Sequence, residues 1–339
     1  MSTPFTRTDP ASIARGLFPH QVEGVAFLLR RRRAILADDM GLGKTRQSIT
    51  ALKVDEPEGP SLVISPASVK RNWEREIHAV LAEASVQILS GSPLEDDPPL
   101  PTAEWTVINY DILKRHEARL TAVAWRGVIV DEAHYLRNQK SQRSRSARKI
   151  VDGLTDPVIH MLTGTPLTNR PRDLFPLLQL AEHPLGRSFL SFAKRYCDAY
   201  KNDFGWVTDG ASNLEELALT LNGLMLRRTK DEVQDLPPKL RTWLGVEIKA
   251  DPGKSDTAKA VPLLLAGMGV PGARAPRDDA GGAKGRARVV AHLTSARRKI
   301  AVAKAKATIE IVENAVEQGE KVIVFSGFDE PVQTIAAHF

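Results

Sequence analysis

Five short apolar runs mark the first half of the chain: AILA (34–37), SLVIS (61–65), WTVIN (105–109), GVIVD (127–131) and VIHMLT (158–163). Between them lie VKRNWEREIHAVL (69–81), DILKRHEARL (111–120) and SARKIV (146–151), whose spacing is compatible with helices. Strands alternating with helices build βαβ units, so the expected fold is α/β, a doubly wound parallel sheet. In such a sheet the ligand crevice lies outside the carboxyl ends of the strands. The residues that follow each run are therefore the first candidates for chemistry.

After the first run comes ILADDMGLGKT (35–45). An apolar strand enters a Gly-bearing turn, and Lys-Thr opens the next helix, a geometry that wraps backbone N–H groups around phosphates. Asp39, Met40, Gly41, Leu42 and Gly43 form the expected loop. Lys44 would reach the β and γ phosphates, and the Thr45 hydroxyl would ligate Mg²⁺. The generic pattern G-x-x-x-x-G-K-[ST] wants Gly at position 38, where this chain has Asp38. Alone, the stretch could be a Gly-rich helix entry with a solvent-facing lysine. Support comes from GVIVDEAH (127–134), which delivers two carboxylates at a strand end. Asp131 can hold Mg²⁺ directly or through water, and Glu132 is placed to polarise an attacking water. In LTGTPLTNR (162–170), Thr163, Gly164 and Thr165 follow a strand, as a nucleotide-coupled turn or an ordinary one. Gln21, in LFPHQVEGVAFLL (17–29), could read adenine, or sit exposed on a plain amphipathic helix.

Beyond the strand-rich half, 339 residues and 42% hydrophobic content allow two domains. No apolar run reaches the roughly 20 residues of a membrane span, and the N-terminus lacks a signal-peptide core. The lone Cys197 suits a reducing compartment. The expected location is cytoplasmic for a bacterial or phage-encoded protein and nuclear for a eukaryotic one. Lys plus Arg exceed Asp plus Glu by 47 − 41 = 6, a balance that permits a polyanionic partner. Arg30 to Arg33, SQRSRSARK (141–149) and ARRKIAVAKAK (296–306) are basic runs that read equally as solvated faces. Residues 184–236 read as helical. DPGKSD (251–256) and VPGARAPRDDAGGAKG (270–285) read as linker or insertion. A long helix pattern over about 286–318 then leads to a strand pattern at Val322–Phe325.

DDMGLGKT, SPASVKRNWEREI, INYDIL, DEAHYLRN, LTGTPLTN and LRRTKDEV occur in the order seen in Swi/Snf-type ATPases of helicase superfamily two. The chain resembles these double-stranded-DNA translocases over roughly residues 17–240, with a weaker continuation over 290–339. It looks similar to their annealing-helicase-like, phage and bacterial branch. Asp38 fits, since that family carries an acidic pair before Met-Gly-Leu-Gly-Lys-Thr. The resemblance implies residues 1–240 as a RecA-like first lobe, with a core over 17–183 and a helical extension over 184–236. Residues 241–290 would be a linker, and 291–339 the incomplete start of a second RecA-like lobe.

By matching positions, the resemblance implies ATP bound by Gln21 and residues 39–45, with Lys44, Asp131 and Glu132 catalytic. Mg²⁺ would sit on Thr45 and Asp131, while His134, Thr163, Gly164 and Thr165 couple the site to the other motifs. Ser65, Pro66, Lys70 and Arg71 would lie on the DNA track, with Trp73 reading as a packing residue. Arg227 and Arg228 are placed facing the cleft or the DNA. The implied partners are double-stranded or branched DNA and a remaining second lobe, in cis or as a separate chain. The family's arginine motif, Q-x-x-x-R-x-x-R-x-G-Q, does not occur in these 339 residues. The chain alone is thus expected to bind nucleotide and hydrolyse it weakly. The alternatives are a non-catalytic nucleotide- or DNA-binding module and a DEAH-type RNA helicase.

Overall fold

The computed structural model describes residues 15–56, 58–164, 170–203, 205–235, 240–246, 256, 258 and 283–339. The chain divides into two compact units, residues 1–237 and 238–339.

In the first unit the elements run α1 (Pro19–Leu29), β1 (Arg33–Leu36), α2 (Lys44–Asp55), β2 (Ser61–Ser65), α3 (Lys70–Val80), β3 (Val86–Ile88) and β4 (Trp105–Asn109). They continue with α4 (Leu113–Thr121), β5 (Gly127–Val130), α5 (Gln142–Asp152), β6 (Val158–Leu162), α6 (Phe175–Leu180) and α7 (Phe189–Tyr196). Then come β7 (Tyr200–Asn202), β8 (Gly205–Val207), α8 (Leu214–Leu221), β9 (Met225–Leu226) and α9 (Lys230–Val233). Seven strands form one sheet in the order β3-β4-β2-β5-β6-β1-β9. Every pairing in it is parallel, as the strand–helix alternation predicts.

Successive residues of a strand point to opposite faces, and both faces here are apolar. Ile35, Ile64, Val130 and Met161 pack with Leu113, Ile150, Leu178 and Phe192 of α4 to α7. Leu36, Val63, Ile129 and Leu162 pack on the other face with Leu28, Ile49, Leu52 and Ile77 of α1 to α3. Burying each such side chain contributes about 1.5–3 kcal/mol. This double cover explains why the predicted strands are apolar along most of their length rather than alternating: all five residues of β2, β4 and β6 are buried. Cys197 is buried too, and burial pushes its thiol up to about 11.

The stretch 184–236 is less helical than its sequence suggests. Besides α7 and α8 it holds an antiparallel hairpin, β7–β8, and the edge strand β9. LEELALTLNGLML breaks at Asn222-Gly223, a turn-forming pair. Met225 and Leu226 then leave the helical period to pair with Ile35 and Leu36, whose ladder is otherwise open on that side. The run of arginines is also a structural device. Arg31 bonds the Gly223 and Phe27 carbonyls, Arg32 pairs with Glu56 and Asp156, and Arg33 pairs with Glu182. In the run at 141–149, Ser146 and Lys149 bind the buried Glu117, which holds that carboxyl down at about 2 and joins α4 to α5.

In the second unit, α10 (Ala283–Glu317) spans the predicted long helix, and α11 (Asp329–Ala336) follows. Arg298 to Glu330 joins the two helices, and His338, just past α11, meets Glu313. The strand expected at Val322–Phe325 is not formed, and Ile323 and Phe325 are 78% and 89% exposed. A strand needs a neighbour for its backbone groups, and among the described residues of this unit there is none. The linker-like stretches at 251–256 and 270–285 fall almost wholly outside the described residues.

Candidate nucleotide-binding site

Parallel pairing brings the carboxyl ends of β1, β2, β5 and β6 to one edge of the sheet. Leu36 is level with Leu162, and Ile64 and Met161 are both level with Val130. The residues that follow these strands are the ones singled out from sequence.

After β1 the chain turns through residues 38–43 into α2. Gly43 caps that helix in the left-handed region at φ 75°, and a Cβ there would lie 2.1 Å from Gln21 Nε2. Both constraints demand glycine. Lys44 Nζ donates to the carbonyls of Asp38 at 2.6 Å and Asp39 at 3.1 Å. Burial pulls its ammonium down, while Glu132, Asp38, Asp131 and Asp39 act in the opposite direction. The lysine is thus held at the mouth of the loop, in a field set by both carboxylate motifs. Gly164 closes the other side: a Cβ there would lie 2.8 Å from Met40 Cγ and 3.7 Å from Lys44 Nζ. Thr163 is buried beside it, and Thr165 lies outside the described residues.

Asp131 follows β5. Its Oδ1 accepts the Glu132 N–H at 2.9 Å and its Oδ2 accepts the Trp73 indole N–H at 2.8 Å. Tyr110 OH donates to its carbonyl at 2.6 Å. Burial raises the carboxyl of Asp131 above the ordinary range. Glu132 adopts φ 47°, ψ 51°, a left-handed conformation costly for a Glu, as do Asp156, Glu182, Asp198 and Asn213 elsewhere in the chain. Its Oε2 lies 3.1 Å from His134 Nδ1. Mg²⁺ is a hard cation that keeps several waters and takes carboxylate and phosphate oxygens, and Asp131 is the carboxylate here whose chemistry fits it. Each Asp131 oxygen accepts one protein N–H and retains acceptor capacity. Among the described residues no group of three or more His, Cys, Asp or Glu side chains gathers to enclose a metal.

α1 packs against the loop that leads into α2. Gln21 Oε1 accepts Phe18 N–H at 3.0 Å, and its Nε2 donates to Leu42 O at 3.4 Å. His20 Nε2 and Gln47 Nε2 meet that same carbonyl at 3.2 and 2.9 Å. Gln21 therefore buttresses the loop.

The DNA-track candidates lie after β2. Ser65 is buried, with its hydroxyl on the Pro66 carbonyl. Lys70 Nζ bonds Leu89 O at 2.9 Å, while Arg71 is exposed beside Glu74. Trp73 is buried, as expected of a packing residue, but its bond to Asp131 ties α3 to the acidic motif, a role its sequence context did not reveal. Arg227 is exposed, whereas Arg228 turns inward. Just past the end of β9 the two neighbours part, and the buried Arg228 is not available to DNA, so that half of its placement is corrected. Its guanidinium pairs with the buried Asp38 at 2.5 Å.

A cleft of about 980 Å³, lined by Arg137, Lys140, Arg170, Arg172, Phe189 and Trp206, contains no residue of the phosphate loop. Its basic and aromatic residues come from separate parts of the chain, so no local sequence run announced it.

Among known families, the description "SNF2-related domain" matches residues 20–254. A Caenorhabditis elegans "SWI/SNF-related matrix-associated actin-dependent regulator of chromatin subfamily A-like protein 1 homolog" is 36% identical over 249 residues, covering 70% of this chain and 34% of that protein. The mouse "DNA annealing helicase and endonuclease ZRANB3" is 35% identical over 253 residues, covering 71% and 24%. The chain thus spans about a third or less of the length of these relatives. Among solved structures, a "Sulfolobus solfataricus SWI2/SNF2 ATPase core in complex with dsDNA" aligns with TM-score 0.58 and 25% identity, over 98% of this chain and 71% of that one. The parallel sheet is accordingly of the RecA-like kind.

Proposed function

Because the chain belongs to the SNF2-related domain family, we propose that its first unit is the ATP-gripping lobe of a translocase that moves on double-stranded DNA. The observation that carries this reading is that the loop opening on Lys44 and the Asp131-Glu132 pair follow strands whose carboxyl ends lie level in one parallel sheet. Lys44 and the loop N–H groups hold the triphosphate, and Glu132 orients the attacking water with His134 beside it. Thr45 and Asp131 would hold Mg²⁺, which neutralises charge on the β and γ phosphates. Gln21 fixes the loop and borders the adenine side.

Exposed Arg71 and Arg227 supply phosphate contacts, which give salt-dependent affinity indifferent to sequence. Double-stranded or branched DNA is the proposed track, in the cytoplasm of a bacterium or the nucleus of a eukaryote. None of the described helices is long and apolar enough to cross a membrane. Hydrolysis by the 339 residues alone is expected to be weak. An arginine supplied across a cleft contributes on the order of 10³ to 10⁵ in turnover in such enzymes, and a second lobe, in cis or as another chain, would supply it.

The test is nucleotide and DNA binding by residues 1–339. A fluorescent ADP analogue should bind with Mg²⁺ and lose its affinity in Lys44→Ala, and duplex DNA should bind with affinity that falls as salt rises. Competition by duplex RNA as effective as duplex DNA would favour an RNA helicase instead. Failure of Lys44→Ala to weaken nucleotide binding would count against the phosphate loop.

A further inference from the structure

Asp38 stands where the generic phosphate-loop pattern has glycine, and its side chain is fully buried. Its partner comes from 190 residues downstream. Arg228 Nε donates to Oδ1 at 3.0 Å and Nη2 to Oδ2 at 2.5 Å, a two-pronged charge-assisted pair. The same guanidinium donates to the His20 carbonyl, to Gln47 Oε1 at 3.2 Å and to Glu23 at 3.4 Å. One side chain therefore gathers α1, the phosphate loop and the first turns of α2.

The backbone repeats the connection. Asp39 N–H donates to the Arg228 carbonyl at 2.9 Å, and Lys230 N–H donates to Asp39 Oδ2 at 3.2 Å. Just upstream, Ala37 N–H donates to Leu226 O at 2.7 Å. On the loop side of those residues, the carbonyls of Asp38 and Asp39 are the two acceptors of Lys44 Nζ. Lys44 and Arg228 thus grip the same two residues from opposite sides.

We propose that Arg228 is a positioning residue for the triphosphate loop. Through Asp38 it fixes the main chain that aims Lys44, and it makes the segment 225–230 sensitive to whether nucleotide occupies the loop. This rests on the reading that Lys44 binds ATP. Linkage is reciprocal: if the segment shapes the nucleotide site, nucleotide must stabilise the segment. Loss of the bidentate pair should leave Lys44 free to adopt other rotamers, and the cost should fall on nucleotide affinity.

A buried ion pair can also be purely structural, and replacing both charges with apolar groups of similar size is often neutral for stability. That separates the two roles. In residues 1–339, R228K and the double variant D38L/R228M are compared with wild type for melting temperature and for affinity toward a fluorescent ADP analogue with Mg²⁺. The expected result is a double variant that melts near wild type yet binds nucleotide about tenfold or more weakly, with R228K weakened similarly because a lysine cannot make the fork. Wild-type affinity in a folded double variant overturns the proposal. Should neither variant fold, hydrogen exchange on the wild-type chain decides. Saturating nucleotide should slow amide exchange at residues 225–230, and unchanged exchange there overturns the proposal. Wild type that binds no nucleotide at all sinks the ATP reading itself, which is a separate result.

Discussion

SLVIS at 61–65 and VIVF at 322–325 are nearly the same kind of sequence, short and rich in β-branched residues. The first becomes β2, paired with β4 on one side and β5 on the other, with all five residues buried. The second forms no strand, and Phe325 is left 89% exposed. The difference teaches that a strand pattern states only a capacity. What realises it is a neighbouring edge, and the first unit supplies six strands where the described part of the second supplies none.

The strongest way to break this comparison is to place a charge in the first segment. Val63→Asp buries an unpaired carboxylate between two sheet neighbours. It should cost more than about 4 kcal/mol and abolish the cooperative thermal transition of the first unit followed by circular dichroism. A retained transition would mean that β2 is less central than its burial implies.

Acid should separate the two units next. His160 in β6 is fully buried against Ser48, with its Nδ1 2.9 Å from the hydroxyl, and burial lowers its pKa from 6.5 to about 4. Between those values the unfolded chain takes up a proton that the folded one refuses. The stability is therefore complete above about pH 6.5 and falls as pH drops toward 4, by up to roughly 3 kcal/mol. Denaturant midpoints of the first unit across that range would test it, and a flat profile from pH 7 to 4 would contradict it. Below pH 4.5 the stabilisation of ionised Glu117, held at about 2, begins to fail as well.

Smaller effects sharpen the picture at the site. Trp73→Phe keeps an aromatic ring but deletes the donor to Asp131 Oδ2. A hydrogen bond to a charged group is worth about 1.5–3 kcal/mol. The expected outcome is a lower melting temperature together with weaker Mg²⁺ dependence of nucleotide binding, measured by titrating the metal. Equal Mg²⁺ dependence in the two proteins would reduce Trp73 to packing. The smallest effect belongs to Phe325→Ser, which should alter stability by less than about 0.5 kcal/mol and reduce self-association in sedimentation. A large loss of stability would mean that the segment is packed after all.

These contrasts also explain what could be read in advance. The five strands of the core were legible because each is buried on two faces and carries its apolar signal locally. The loop after β1 and the carboxylates after β5 could be singled out because the chemistry proposed for them needs adjacent residue types. β9 was not, since two residues joined to the end of an amphipathic stretch carry no period of their own. Arg228 was grouped with Arg227 because a motif joins them in sequence, while its side chain is buried on a carboxylate 190 residues away. Asp38 departs from the generic pattern but fits the family's acidic pair, and its partner 190 residues away supplies the physical reason. Trp73 belonged to the right segment, but its bond to Asp131 spans 58 residues and leaves no local trace.

The central claim is that the first unit grips a nucleoside triphosphate through Lys44 and the carboxylates beside it. Titrating residues 1–339 and Lys44→Ala with a fluorescent, non-hydrolysable ATP analogue and Mg²⁺ tests it most directly. The account predicts saturable binding by the wild-type chain, weakened at least about tenfold in the variant while its melting temperature stays close to wild type. Equal binding by the two proteins, or none by the wild type, would contradict it.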